Sequence, residues 1–103
     1  MAETEKYTYK FQIMKLKKGT NPNILLEYGF EEYENEYSMY EKGIELKYNT
    51  KENYFYMYDE WLWDISLEAD YIIKWFSFEE KIQPLLNSGF VKFEEEEKTE
   101  YYD

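Results

Sequence analysis

The chain has no cysteine, no histidine and no arginine, and alanine occurs only as Ala2 and Ala69. Without cysteine there are no disulfides and no thiolate metal sites, a pattern that fits a reducing cytoplasm. Without histidine the commonest general base and transition-metal ligand are missing, and with them every Ser-His or Cys-His nucleophile. No apolar run exceeds a few residues, too short to cross a bilayer. The opening Met1-Ala2-Glu3-Thr4-Glu5 is acidic and polar where a signal peptide is basic and then apolar. These absences point to a cytoplasmic, non-catalytic protein with no cofactor and no bound metal.

Charge is what the chain has in excess. Twenty-three acidic residues face twelve lysines, for a net charge of −11 and a pI near 4.5. A surface of that sign repels nucleic-acid phosphates and attracts a basic protein. The imbalance is uneven: Lys6, Lys10, Lys15, Lys17 and Lys18 outnumber Glu3 and Glu5 in the first 20 residues, and the rest of the chain is correspondingly more acidic. Aromatic residues make up 22% of the chain. Abundant Tyr, Lys, Glu, Asn, Ile and Phe also mark an AT-rich coding sequence, so position and not abundance must decide which aromatics matter.

At 103 residues the chain is long enough to bury roughly two thirds of its unfolded surface in one core. The spacing predicts a single acidic α+β domain over residues 1–93 and an acidic C-terminal tail over 94–103 that need not be ordered. Tyr7, Tyr9, Phe11 and Ile13 alternate with polar residues as in a half-buried strand. Asn21-Pro22 caps and opens a short helix that Gly29 closes, with Phe30 positioned to pack back on Leu25. Tyr33 to Tyr40 reads as one strand, and Ile44 to Tyr48 with Tyr54 to Tyr58 as a hairpin. The second hairpin strand is apolar on both faces. Ser66 to Ile82 carries a polar stripe at Asp70, Lys74, Ser77 and Lys81, which predicts one long continuous helix with an apolar arc wider than one-sided packing needs. Gln83-Pro84 breaks it, and Val91 to Phe93 forms a last short strand. The expected fold is thus a small mixed, mostly antiparallel sheet of four to five strands with one long helix and one or two short helices packed on it.

Glu45-Leu46-Lys47 has the Glu-x-Lys form of metal-dependent nuclease sites, but alternation on any exposed strand produces that tripeptide and no partner aspartate motif precedes it. Acidic and aromatic interleaving is more informative. Glu31, Glu32, Glu34 and Glu36 surround Phe30, Tyr33 and Tyr37, and Asp59, Glu60 and Asp64 bracket Trp61 and Trp63. On one strand, Glu32, Glu34 and Glu36 would point the same way at about 6.7 Å spacing, like a row of backbone phosphates. Tryptophan and tyrosine anchor interfaces, while charges set encounter rate and orientation. The expected partner is therefore a basic protein, with a nucleic-acid-binding nuclease or effector complex as the leading class; direct contact with nucleic acid or membrane is not expected.

In size, charge and aromatic content the chain is similar to the small acidic anti-CRISPR and anti-restriction proteins of viruses, and to nuclease immunity proteins. The resemblance implies an inhibitor that occupies a nucleic-acid groove, and it carries over no site residues. The other open reading is an accessory or structural module, a homodimer formed through Tyr54, Tyr56 and Tyr58, whose charge serves solubility alone.

Overall fold

The computed structural model describes residues 5–41, 43–76 and 82–102. Strand accounts for 52% and helix for 22% of the structure, so sheet and not helix organises the molecule. Strands β1 (Glu5–Leu16) and β7 (Val91–Tyr102) pair with each other antiparallel along their whole length. Strands β2 (Glu31–Tyr33), β3 (Glu36–Glu41), β4 (Ile44–Asn49), β5 (Tyr54–Asp59) and β6 (Asp64–Ser66) form a separate five-stranded antiparallel meander. A 3-10 helix (Pro22–Tyr28) leads from β1 into the meander, and α1 (Ala69–Phe76) and α2 (Gln83–Asn87) lead from it to β7. Among the described residues no helix is long and apolar enough to cross a membrane.

Three expectations are corrected. The single mixed sheet is two sheets, each purely antiparallel. The long Ser66 to Ile82 helix is not formed: Asp64–Ser66 pairs with β5 as a sixth strand, and α1 begins only at Ala69. Residues 77–81, including Ser77 and Lys81 of the expected polar stripe, lie outside the described residues; beyond them Pro84 sits in the first turn of α2, where its missing N–H costs nothing. The segment read as an acidic tail is strand through Tyr102, because the lysine-bearing β1 lies beside it.

The short helices follow local rules. Asn21 Oδ1 accepts from the Asn23 amide, Pro22 takes the first position, and Gly29 closes the 3-10 turn at φ 90°, a region open to glycine. The Phe30 amide then donates to the Leu25 carbonyl at 3.2 Å, and both side chains enter the core. Helix α1 buries Ala69, Ile72 and Phe76, a stripe at i, i+3 and i+7, and leaves Tyr71 and Trp75 facing out. The core itself is centred on Phe55, fully buried between Phe30 and Tyr48 at ring-centroid distances of 6.1 and 4.8 Å, and is completed by Met14, Leu16, Leu25, Leu46, Ile72, Ile82 and Leu85.

The two sheets are joined through Asn53, the last residue of the β4–β5 loop. Its side-chain amide accepts from the Leu16 amide at 3.2 Å and donates to the Leu16 carbonyl at 3.1 Å, as a neighbouring strand would. The Tyr48 hydroxyl adds a 2.6 Å bond to the same Oδ1. Asn53 holds φ 54°, a left-handed conformation that asparagine tolerates better than most residues.

Outward from Leu16 the β1–β7 ribbon continues with no third strand, which is why the molecule measures 56 × 31 × 27 Å. Two-stranded ribbons are marginal in water. This one is held by side chains: Tyr7, Tyr9 and Phe11 stack in a row at 5.6 and 5.8 Å, Thr8 and Thr99 hydroxyls meet at 3.0 Å, and Glu94 bridges Lys15 at 2.9 Å and Lys92 at 2.7 Å. Lys15 and Lys92 stand directly opposite each other, so Glu94 relieves a repulsion as well as forming two bonds. The hydrogen bonds from Lys92 and Lys15 bring its carboxyl down to about 2.

Two measurements check these joints. Asn53→Gly keeps the left-handed backbone accessible and removes the amide; it should lower the unfolding free energy by about 2–3 kcal/mol in urea denaturation, since the Leu16 N–H and C=O lose their partners. A glycine variant as stable as the parent would show that the bridge does not hold the sheets. For Glu94, a folded pKa below the ordinary 4.5 means a stabilising contribution that is complete above pH 4.5 and is lost as pH falls toward about 2. The stability gap between parent and Glu94→Gln should therefore be present at neutral pH and close over that window.

Candidate functional site

The acidic residues singled out in the sequence fall on two sides of the meander. Glu34 and Asn35 have φ 54° and 118° and form a two-residue turn of the kind that matches strand twist, so the chain reverses there. The expected row Glu32, Glu34, Glu36 is thereby broken. Glu32 pairs with Tyr37 on the core-side face, Glu34 sits at the turn, and Glu36 pairs with Tyr33 on the outer face, where Glu31 also lies opposite Ser38. Asparagine after Glu34 was the available signal, since it readily takes the left-handed turn conformation.

What replaces the row is an array across strands. The register places Tyr33, Glu36, Tyr40, Glu45, Lys47, Tyr54, Tyr56 and Tyr58 on the same outer face, with Glu36 near Lys47 and Lys47 near Tyr56 on successive strands. Neighbouring strands lie about 4.8 Å apart, so carboxylates on them stand closer together than alternate residues along one strand. Lys47 is paired to Glu36 at 3.6 Å and Glu45 at 3.7 Å and lies 5.5 Å from the Tyr58 ring centre. The tyrosine hydroxyls act as donors: Tyr56 to Glu36 at 3.1 Å, Tyr40 to Glu60 at 2.8 Å. Burial, then the Glu36 charge, pushes the Tyr56 phenol well above its ordinary value, and the bond to Glu60 does the same for Tyr40.

Strand β2 begins at Glu31 opposite Ser38, and among the described residues β3 has no strand neighbour on that side beyond this pair. A cleft of about 630 Å³ opens there, with Glu31, Glu45, Glu60, Tyr40 and Ser38 in its wall. A second cleft of about 490 Å³ at the Glu34–Asn35 end mixes Glu34 and Glu36 with Lys47 and Lys51. Glu60 thus joins the outer face with Tyr40 and Glu45, which are paired in register and carry no local sequence signal of that grouping. Among the described residues no group of three acidic side chains is arranged to hold a metal ion, and the Glu45–Lys47 pair is occupied with Glu36.

Asp59, Glu60, Trp61, Trp63 and Asp64 come together as the β5–β6 hairpin. Asp59 Oδ1 accepts from the Trp61 amide at 2.9 Å and the Leu62 amide at 3.3 Å. Trp61, Leu62, Trp63 and Ile65 are 81, 73, 80 and 59% exposed. Leu62 and Ile65 belong to the same exposed surface, and strand alternation and the flanking tryptophans are their sequence signal. The Trp61 indole lies against Gly43, where an added Cβ would come within 2.4 Å of Nε1, and the Glu60 amide donates to the Gly43 carbonyl at 3.2 Å. Leu62 and Tyr71 share a small crevice, and Tyr71 meets Trp75 edge-on at 6.3 Å, so the apolar surface runs from the hairpin onto α1.

No family model, no curated protein and no solved structure matches the chain. The site therefore rests on its own geometry.

Trp63 holds φ 53°, where a bulky residue is strained. Trp63→Gly relieves that strain and should raise the unfolding free energy by about 1 kcal/mol. Thermal or urea unfolding checks this; a loss of stability would mean that the exposed indole packs on the fold instead of being displayed from it.

Proposed function

We propose that the chain is a non-catalytic acidic inhibitor that binds a basic protein, a nuclease or effector complex, across the surface that otherwise holds nucleic acid. The observation that carries this reading is the outer face of the meander. There carboxylates from several strands stand among tyrosines, and the lysine among them is already neutralised by Glu36 and Glu45.

Each part of that face has a role in such a complex. Glu31, Glu45 and Glu60 line a concave wall and would meet lysine or arginine side chains that ordinarily hold phosphates. Tyrosine combines a broad apolar ring with a hydroxyl that stays a donor, a combination enriched at protein interfaces. The long-range field of a chain with net charge −11 steers a basic partner and repels phosphate backbones. A homodimer through Tyr54, Tyr56 and Tyr58 would bring two copies of net charge −11 together, a repulsion that a basic partner does not meet. Viral anti-defence proteins and nuclease immunity proteins are the classes whose task this chemistry suits.

Binding to a nuclease or effector recovered from host lysate should compete with that protein's nucleic acid and weaken with added salt. Replacing Glu31, Glu45 and Glu60 together with lysine should slow association at low salt by about tenfold or more. The unfolding free energy should change by no more than about 2 kcal/mol, because the pairs lost are surface ones. Recovery of no nucleic-acid-binding protein, or unchanged association of the triple variant, would reject the proposal.

A further inference from the structure

The meander contains two hairpin loops of the same construction, and the difference between them is informative. Between Asn49 and Tyr54, and again between Asp59 and Asp64, four residues connect a directly opposed pair. In each, the side chain before the loop accepts from the second and third loop amides: Asn49 Oδ1 from Lys51 and Glu52, Asp59 Oδ1 from Trp61 and Leu62. In each, the last loop residue is left-handed, Asn53 at φ 54° and Trp63 at φ 53°. The first loop is filled with polar residues and ends on asparagine, the residue that conformation favours. The second is Glu60-Trp61-Leu62-Trp63. It places a bulky ring where the backbone disfavours one, sets Asp59 directly opposite Asp64, and exposes three large apolar side chains.

None of these choices helps the fold, and the same sheet shows the polar alternative. Strain held in an ordered turn is a pointer to function. The turn is also fixed in place: Gly43 leaves the space that the Trp61 indole occupies, and its carbonyl takes the Glu60 amide. We infer that this turn is a preorganised anchor that inserts Trp61 and Trp63 into an apolar pocket of the partner protein, a pocket rimmed by lysine or arginine that pairs with Asp59, Glu60 and Asp64. The inference rests on the basic-partner reading above and goes beyond it by naming the segment that governs dissociation and the pocket it demands.

Charge complementarity selects this occupant. Asp59, Glu60 and Asp64 stand around the apolar tip, and the Trp61, Leu62 and Ile65 amides and the Tyr40 hydroxyl that bond to them are neutral donors, which do not cancel their charge. A second copy would bring the same three carboxylates to the contact. A lipid surface is entered by turns and helices that carry lysine or arginine toward the headgroups, and this turn carries neither.

The test uses the full chain with two synthetic probes of equal positive charge, a peptide of alternating lysine and leucine and a lysine homopolymer, at low salt. Calorimetry should give at least about tenfold tighter binding of the lysine–leucine peptide, the size of effect expected when aromatic anchors are desolvated, together with a blue shift of tryptophan emission. The double variant Trp61→Ala/Trp63→Ala should lose that preference and still bind the homopolymer, whereas Tyr101→Ala, which removes an exposed aromatic from the ribbon, should keep it. Circular dichroism of each variant confirms that it is folded, and Trp63→Asn, which should melt higher than the parent, gives a second variant that cannot fail by unfolding. Equal binding of both probes overturns the anchor and leaves the basic-partner reading standing; binding of neither overturns both. A blue shift with phosphatidylcholine vesicles, or self-association abolished by the double variant, would assign the turn to lipid or to a second copy and overturn the proposal.

Discussion

The side-chain amide of Asn53 is the joint on which the arrangement of the two sheets depends. A β-ladder grows by adding backbone to backbone, yet β1 and the meander share no ladder; one asparagine side chain takes the place of a strand and bonds both polar groups of Leu16. Everything on either side is set by that contact. It brings Met14 and Leu16 over Phe55, closes the core from the side opposite the outer face, and leaves the ribbon to project beyond the last buried residue. The left-handed conformation of Asn53 serves the loop and the bridge at once, since the same residue must end the hairpin and turn its amide toward β1.

Burial in this molecule is confined to one side of the meander, and the consequences reach the surface. Phe55 and Met57 are buried, while Tyr54, Tyr56 and Tyr58, alternating with them, lie on the outer face among Glu36, Glu45, Lys47 and Ile65. A sheet with one covered face can present the other as a rigid platform, because its side-chain positions are fixed by the register of strands anchored beneath. Display is strongest at the β5–β6 turn, where local conformation, like-charge opposition and exposure all run against stability while the Gly43 contact holds the turn in one place. The β4–β5 loop, built alike but filled with polar residues, marks what the same backbone carries when only folding is served.

Charge is sorted by tertiary structure into neutralised and open regions. The lysine-rich start of the chain and the run Glu94 to Glu97 look unrelated along the sequence; in space they are the two strands of one ribbon, linked by Lys10–Glu95 and Lys15–Glu94 pairs. Lys10 and Lys15 of the lysine-rich start thus answer Glu95 and Glu94 of the acidic run. In the meander Glu31, Glu36 and Glu45 lie on the outer face and Asp59, Glu60 and Asp64 around the tryptophan turn, while Glu32 lies on the core-side face.

By itself the sequence determined several of the local parts. The absence of histidine and cysteine limits the available chemistry, period-two alternation marks β1 and the β4–β5 hairpin, and the Asn21-Pro22 start and Gly29 stop mark the first short helix, because each is a local signal read within a few residues. It also marked Asp59 to Asp64 as a cluster, since neighbours in a tight turn stay neighbours in space. It did not determine where Ser66 belongs: a helical stripe and a strand pairing competed, and the partner strand β5 decided. It could not show that Glu94 to Tyr102 is strand, because the strand that pairs with it, with Lys10 and Lys15 bridged to Glu95 and Glu94, lies at the other end of the chain and meets it only on folding. The grouping of Glu31, Glu45 and Glu60 came from register as well, for residues on different strands share a face only once the turns between them have fixed the pairing.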